Sequence, residues 1–582
     1  TSIDAARRDL NAAIADQSRR THRQAHVESR VRPIVDEILG PARAGVLSWL
    51  AAVAVLLLVT CANVAGLMLV RAGGRSREYA IRLALGASRA TLARFVFCEA
   101  VIFSALGSAA AFGIATLALP AVVSRLPADI PRLSDAGINT AALLATCATG
   151  LLAALISSLA PALSLTKRDL EQVLRRDAAT VIGAGHRAPM RRLLIAGELA
   201  AAVLLLTAAG LLARSVGRLG RLDLGFQSSR LLSVGVAMPS ESIGDSDARA
   251  RLTRALEELS ALPGIVSAAG VSLRPLHGPI GLDSRFRTEG QTPAEGERNP
   301  YVNVETITPG YFTTMGSRIV DGRSFTDADR ATTTPVLIVS EAFARLAWPG
   351  KRAVGKRLQV AAQDRGPDAG PVFRGIVGVA ADMRYRALEA PTPTIYAPFA
   401  QSPDRIGDLM VRTAIEPRTL APVIRREMSA LNGNGLITIA DMDDVVSRLE
   451  TPWRSNFSLF VLFAGLTVAL AAAGLYALMA WSVAGQAREI GVRLVLGATP
   501  ARIAAGVVTD AARIIGAGAA AGVAASVVAT QLIRSLLFDV SPMDPVALCA
   551  APAVLAVVAL AAAALPAIRA SRTEPSVCLR RE

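Results

Sequence analysis

The chain has 582 residues, 52% of them hydrophobic, 19% charged and 4% aromatic, with a mean hydropathy of +0.42. This composition excludes a disordered chain, and long apolar runs separated by Arg-rich loops argue against a wholly soluble protein. The formal charge of +15 comes mainly from arginines at the ends of apolar runs, without the interleaved aromatics of a base-stacking surface, so nucleic acid is excluded as a partner.

Residues 1 to 44 are polar and lack the apolar core of a signal peptide. His22 and His26 stand four apart, as zinc ligands do on a helix. Arg23 occupies the place of a catalytic Glu, no cysteine pair is near and the stretch is Arg-rich, so no metal site is expected. The five cysteines (Cys61, Cys98, Cys147, Cys549, Cys578) avoid the polar middle of the chain and form no disulfide framework.

Seven stretches are long enough to cross a bilayer: 45 to 71, 91 to 121, 139 to 165, 192 to 213, 457 to 484, 502 to 534 and 545 to 568. The loops at 71 to 94 and 166 to 192 are rich in Lys and Arg and are expected in the cytoplasm. The loop near 122 to 138 is balanced and that near 536 to 544 has no basic residue; both are expected outside. Threading the spans through these loops puts residues 1 to 44 and the block 215 to 455 outside, and the C-terminal tail inside.

The outer block changes to short β-rich runs alternating with amphipathic helices, an α+β pattern. Strands are expected at Leu231 to Ala237, Val266 to Ser272, Val302 to Ile307, Val336 to Val339, Phe373 to Val379 and Leu409 to Arg412, with helices at Ala248 to Leu262 and Leu420 to Leu431. Gly350, Gly355 and Lys356 have phosphate-loop spacing. Arg357 stands where a Ser or Thr would hold magnesium, and no strand leads into Gly350, so a basic turn ahead of a strand is the better reading.

An internal repeat dominates the chain. The run from Arg77 to Ser88, REYAIRLALGAS, recurs 411 residues later from Arg488 to Thr499, REIGVRLVLGAT; the same offset pairs Glu99 with Asp510 and Gly107 with Gly518. Farther on the offset is 405, matching Asn139 to Asp544. By this logic residues 1 to 44 correspond to the end of the outer block, so a first outer domain and its leading span are expected before them. Each copy reads as an elbow. Glu78 with Arg82, and Glu489 with Arg493, are i,i+4 pairs supporting a short helix. Gly86 and Gly497 suit a position of positive φ after it, and Ser88 and Thr499 suit the cap of the next span, with Pro500 in its first turn. Twelve residues kept so alike exceed what an anchor needs, and a docking surface for a cytoplasmic partner explains them better. Candidate docking residues are Arg77, Glu78, Arg82, Leu85, Gly86, Ala87 and Ser88 in the first elbow, and Arg488, Glu489, Arg493, Leu496, Gly497, Ala498 and Thr499 in the second.

Glu99, Asp510 and Glu198 lie within spans, where a charge is expensive. Arg94, Arg513 and the pair Arg191 and Arg192 are near enough to satisfy them by snorkelling. Gly518 with Gly522, and Gly107 with Ala111, fit close helix packing. No span pairs a nucleophile with His or sets two carboxylates at a catalytic spacing, so neither enzymatic activity nor a cofactor is expected.

These residues resemble the MacB-like and FtsX-like permeases of ABC transporters, and most closely the duplicated orphan permeases of acidobacteria. The resemblance rests on Cys61 to Ala65, the two elbows, Gly210 to Ser215 leading to Gly225-Phe226, and Gly474-Leu475-Tyr476. In the outer block Pro309 to Phe312, Gly322 to Phe325, Trp348 to Gly350 and Gly355 to Arg357 resemble the MacB-type periplasmic core domain. Ser340 departs from the Asn usual in that pattern, and the run Ala484 to Ala487 is less basic than in relatives.

The resemblance implies a polytopic α-helical membrane protein, internally duplicated, with an α+β periplasmic core domain. Residues 1–44 would be the remnant of a first core domain, 45–177 a first FtsX-like three-span unit, 178–214 a linker and single span, 215–455 the core domain and 456–582 a second three-span unit. It also implies a multi-pass permease of the bacterial inner membrane, surrounded by membrane lipid. Its elbows would receive ATP-driven motion from a separate ABC ATPase subunit, itself a dimer, for export or extraction of a drug, peptide or lipoprotein. A periplasmic adaptor or outer-membrane partner fits this role. The alternative is a membrane-anchored scaffold or regulator of a periplasmic partner, without transport. The topology predicts that a cysteine introduced near Asp441 reacts with an impermeant thiol reagent on intact cells and one at Ser88 does not; external labelling at Ser88 overturns the orientation.

Overall fold

The computed structural model describes residues 3–20, 34–75, 78, 81–82, 85–123, 137–166, 188–236, 245–278, 281, 283–361, 372–402, 406–432, 437–485, 490, 492, 496 and 498–571. His22 and His26, the loops at 124–136 and 167–187, and the tail from 572 lie outside the described residues. So do Arg77, Arg488, Glu489, Arg493 and Gly497 of the elbows. The chain forms two compact units, one of residues Thr1–Arg218 with Trp453–Glu582, the other Leu219–Pro452.

The first unit is helical. After the polar helix α1 (Ile3–Arg20) come α2 (Ile34–Gly74), α3 (Arg89–Val123), α4 (Thr140–Thr166) and α5 (Ala188–Leu219). Among the described residues, seven helices are long and apolar enough to cross a membrane. The last three are α11 (Met442–Gly485), α12 (Pro500–Ala529) and α13 (Pro545–Ser571). In lipid, a helix satisfies its own backbone donors and acceptors, which is why these apolar runs take this form.

Several boundaries differ from the sequence reading: α2 begins at Ile34 instead of 45, and α5 runs on to Leu219 instead of 213. Helix α11 begins at Met442 instead of near 457, because the strand before it runs directly into the helix and Asp443 and Asp444 favour the positive end of its dipole. Helix α12 stops at Ala529 instead of 534. The chain then turns so that Ile533, Leu536 and Val540 bury against Ala52, Leu205, Leu212 and Phe460.

Helix α5 packs with α11, α12 and α13 in one core of Ile195, Leu199, Val203, Leu475, Leu478, Ile514, Ile515 and Leu555. Gly518 and Gly522 permit this. A Cβ on Gly518 would lie 2.7 Å from Cβ of Leu199, and one on Gly522 would lie 2.6 Å from Cβ of Val203. The matching Gly107 on α3 has nothing within 4 Å of the same point, so the expected packing there is not made by the described residues. Helices α2, α3 and α4 meet instead through Met68, Ala100 and Ala154.

Of the three charged residues within the spans, Glu99 and Glu198 are placed differently from expectation. Glu99 pairs with Arg71 of α2 at 2.5 Å instead of with Arg94, since the neighbouring helix brings a guanidinium closer than the same helix does. Asp510 does pair with Arg513, at 3.1 Å. Glu198 does not snorkel: it is 2% exposed, inside the bundle. Its Oε2 lies 2.6 Å, and Asn63 Oδ1 2.5 Å, from where a Cβ on Gly474 would be, so glycine is required at that crossing. Asn63 also donates to the Leu470 carbonyl at 3.1 Å, tying α2 to α11.

The second unit is an α+β domain built on one mixed sheet. Its strands are β1 (Leu231–Val236), β2 (Ile265–Val271), β3 (Asp283–Ser284), β4 (Phe286–Thr288), β5 (Val302–Ile307), β6 (Ile319–Gly322), β7 (Val336–Ser340), β8 (Arg357–Val360), β9 (Arg374–Ala380), β10 (Thr394–Pro398), β11 (Asp408–Thr413) and β12 (Ile437–Asp441). The order is β12-β1-β11-β2-β5-β10-β7-β9-β8-β4, with β3 on β5 and β6 on β9. The β5–β10 and β7–β9 pairs are parallel, and the other pairs are antiparallel. Helices α6 (Asp245–Ala261) and α10 (Pro417–Asn432) cover β1, β2 and β11 through Leu252, Leu259, Leu420, Ile424 and Met428. Short helices α7 (Pro293–Arg298), α8 (Tyr311–Met315) and α9 (Glu341–Ala347) complete the domain, with Phe343 of α9 in a second core beside Val304, Leu337 and Leu358.

Between β2, β5 and β10 lies a buried carboxyl. Glu305 accepts from Ser272 Oγ at 2.5 Å, the Leu273 amide at 3.0 Å and Asn303 Nδ2 at 3.1 Å. Arg386 reaches the same cluster through Asn303 Oδ1, at 2.6 Å. Burial pushes Glu305 up to about 7, against the lowering effect of these donors and of Arg386. A folded pKa above the unfolded value of 4.5 favours the folded state fully below that value, and the contribution is lost as pH rises through 7. Between roughly pH 5 and roughly pH 8 wild type is expected to lose stability relative to Glu305→Gln, by on the order of 3 kcal/mol at most. Thermal midpoints across that range check it, and parallel pH profiles refute the buried proton.

Candidate functional site

The first elbow turns between α2 and α3. Residues 78, 81 and 82 are helical, and Arg82 Nη2 donates to Glu78 Oε1 at 2.6 Å, the i,i+4 pair read from sequence. The Arg82 guanidinium also sits 5.3 Å from the ring centre of Phe95 on α3, which holds the short helix to the next span. The Leu85 amide donates to Ile81 O and the Ala87 amide to Arg82 O, both at 3.0 Å. Between them Gly86 has φ 94°, a backbone region that costs a side-chain-bearing residue roughly 1 kcal/mol or more. Ser88 then caps α3, its Oγ accepting from the Thr91 amide at 3.2 Å.

The second elbow repeats the backbone hydrogen bonds of the first where both are described. The Leu496 amide donates to Val492 O at 3.0 Å, as Leu85 does to Ile81. The Arg502 and Ile503 amides donate to Thr499 O at 3.0 and 3.3 Å, as Thr91 and Leu92 donate to Ser88 O at the same two distances. Thr499 caps α12 by its backbone alone, with Pro500 in the first turn; its side chain makes no cap bond. Ile490 packs on Ile503 and Val483, which seats the elbow on α11 and α12.

The apolar side chains of the elbows are exposed in matched pairs. Leu85 is 82% exposed and Leu496 81%; Ile81 is 49% exposed and Val492 45%. Both leucines are among the docking residues expected from the sequence; Ile81 and Val492 are not, and their signal is their spacing of four from the leucines. Ala87 and Ala498 are half-buried.

The phosphate-loop spacing in the second unit has a different structure from a nucleotide site. Gly350 and Gly355 have φ of 68° and 87° and make turns ahead of β8. The amides that would cradle a phosphate are engaged within the protein: Lys351 with Trp348 O at 3.1 Å, Gly355 with Ile376 O at 2.9 Å and Lys356 with Ala353 O at 3.0 Å. The other motifs of the block are also structural. Gly310 has φ 81° ahead of the buried Tyr311 and Phe312, and Arg323 grips Asp329 through two bonds of 2.8 Å.

Two family models match the chain. The FtsX-like permease C-terminal family model matches residues 50–170 and again 461–575, and the MacB-like periplasmic core domain model matches 199–429. The chain belongs to the MacB-like, FtsX-like permeases. Its curated relatives include two macrolide export ATP-binding/permease proteins MacB. The protein from Chromobacterium violaceum is 24% identical over 333 residues, 55% of this chain and 49% of its own length. That from Mannheimia succiniciproducens is 22% identical over 289 residues, covering 48% of this permease and 43% of the relative. The permease thus spans about half the length of the curated relatives it matches.

Among solved structures, the periplasmic region of MacB from Actinobacillus actinomycetemcomitans covers 39% of this chain and 94% of its own, at 15% identity and TM-score 0.28. The extracellular domain of the noncanonic ABC-type transporter YknZ from Gram-positive bacteria covers 36% and 99%, at 15% identity and TM-score 0.24.

Because the amides at Lys351, Gly355 and Lys356 are already bonded, the purified chain is expected to bind no ATP. A fluorescent ATP analogue titrated against wild type and Lys356→Ala should show no saturable signal in either. Saturable binding lost in the folded variant restores a nucleotide site.

Proposed function

We propose that this permease is the membrane-spanning subunit of an ABC transporter, in which the two elbows dock a separate ATPase dimer. The observation that carries the reading is the matched pair of exposed leucines, Leu85 and Leu496, each with an apolar neighbour one turn before it. A leucine more than four-fifths exposed contributes nothing to its own fold, and the repeat presents the same projection twice in one chain. Two equal apolar knobs suit two equal apolar clefts on a dimer, with the Glu78–Arg82 pair beside the first as a polar rim.

In this reading both elbows face the cytoplasm and residues 215–455 face the periplasm of the inner membrane, following the arginine asymmetry of the loops. The ATPase closes on binding ATP and draws the elbows together, and the spans carry that displacement to the core domain. Units 45–177 and 456–582 act as paired three-span levers around α5. The cargo is a drug, peptide or lipoprotein exported or extracted on the outer side, with a periplasmic adaptor or outer-membrane partner receiving it. The word export in the names of the relatives supports this direction.

Replacing Leu85 and Leu496 by Asp removes both knobs at a folding cost within about 0.5 kcal/mol, since both sites are exposed. Expression and membrane insertion are expected to persist, while co-purification of the ATPase and stimulation of its turnover are lost, each single variant giving an equal partial loss. Full ATPase binding by the folded double variant would leave the elbows as anchors and favour the scaffold reading.

A further inference from the structure

The last turns of α5 and the turn between α12 and α13 grip each other at several points. Arg214 Nη1 donates to Asp544 Oδ1 at 2.7 Å, and the Asp544 side chain is only 10% exposed. The buried Ser215 hydroxyl accepts from the Phe538 amide at 2.7 Å and donates to the Phe538 carbonyl at 3.3 Å. Arg218 pairs with Asp539 at 3.0 Å. Asp539 has φ 49°, a backbone held in the left-handed region outside glycine. The Phe538 ring meets Trp453 of α11 edge-on, with centroids 5.8 Å apart.

The two halves of the repeat separate two roles of Asp544. Its Oδ1 caps α13, accepting from the Val546 and Ala547 amides at 3.0 and 3.2 Å. At the matching place Asn139 caps α4 with a neutral oxygen, accepting from Ala142 at 2.9 Å. Capping therefore needs only the acceptor, and the negative charge of Asp544 serves Arg214.

Helices α5 and α11 are the two that continue into the outer unit, and this turn touches both. We infer that residues 538–544 form a clip that makes the outer ends of α5 and α11 move as one body with α12 and α13 when the second elbow is displaced. The inference rests on the docking role of the elbows. Asp544 and Arg214 are positioning residues in it, acting through the helices they join.

The test uses the full chain in lipid nanodiscs with its ATPase, and spin labels at Gly217→Cys, where a Cβ meets nothing within 4 Å, and Val546→Cys, which is exposed. The clipped protein is expected to keep one narrow label distance with and without ATP. Asp544→Asn, which retains the cap, is expected to bind the ATPase normally, broaden the distance only when ATP is added and lose stimulated turnover. Arg214→Gln should do the same, and Arg214→Lys should preserve wild-type behaviour. Asp544→Asn with a narrow distance and full turnover overturns the clip. Without any ATPase, thermal midpoints of Arg214→Gln, Asp544→Asn and their combination should be non-additive, and additivity overturns the clip as well. Absence of ATPase binding by wild type overturns the elbow reading alone, because the midpoint cycle still decides the clip.

Discussion

The membrane unit depends on how closely α5 can lie against α12. Lipid tails are as apolar as leucine, so helices in a bilayer gain little from hiding apolar surface and must gain from close packing. Gly518 and Gly522 provide it by leaving room for the side chains of Leu199 and Val203 and the backbone of Ala196 and Ala200. With α5 held there, Ile195 to Val203 fill a core shared with α11 and α13, and Glu198 is carried to the crossing of α2 and α11. A larger residue at either glycine would push α5 outward and open that core.

The elbows follow from a different constraint. A helix that leaves the membrane and immediately re-enters it must reverse within a few residues, and Gly86 makes the reversal at φ 94° where other residues are strained. The break turns Ile81 and Leu85 away from the spans, while Arg82 is tied back by Glu78 and Phe95. The result is a small exposed apolar projection, matched by the exposed Val492 and Leu496.

In the second unit the sheet is held by side chains as well as by its ladder. Strand β5 is buried along its whole length, and its three polar side chains turn to partners instead of water: Asn303 and Glu305 to Arg386 and Ser272, and Thr306 to the Ser402 hydroxyl at 2.7 Å. An unsatisfied carboxyl at that depth would cost several kcal/mol, so three donors and a nearby guanidinium accompany it.

Much of this was legible in the residues. Apolar run length placed the seven spans, short β-rich runs placed β1, β2, β5, β7, β9 and β11, and the offset of 411 exposed the duplication together with the turn at Gly86 and the cap at Ser88. Those features are local: they depend on propensity, hydropathy and backbone strain within a few residues. Strand β10 escaped because it ends in Pro398 within a Pro-rich stretch, and its burial on both sides comes from β5 and β7. Tertiary structure alone decided that Glu99 pairs with Arg71, that Glu198 is buried instead of snorkelling, and that Gly518 is covered while Gly107 is open. It alone joined Arg214 to Asp544, 330 residues apart. A partner across such a distance is chosen by which helices lie side by side, and no local pattern in a single chain encodes that neighbour.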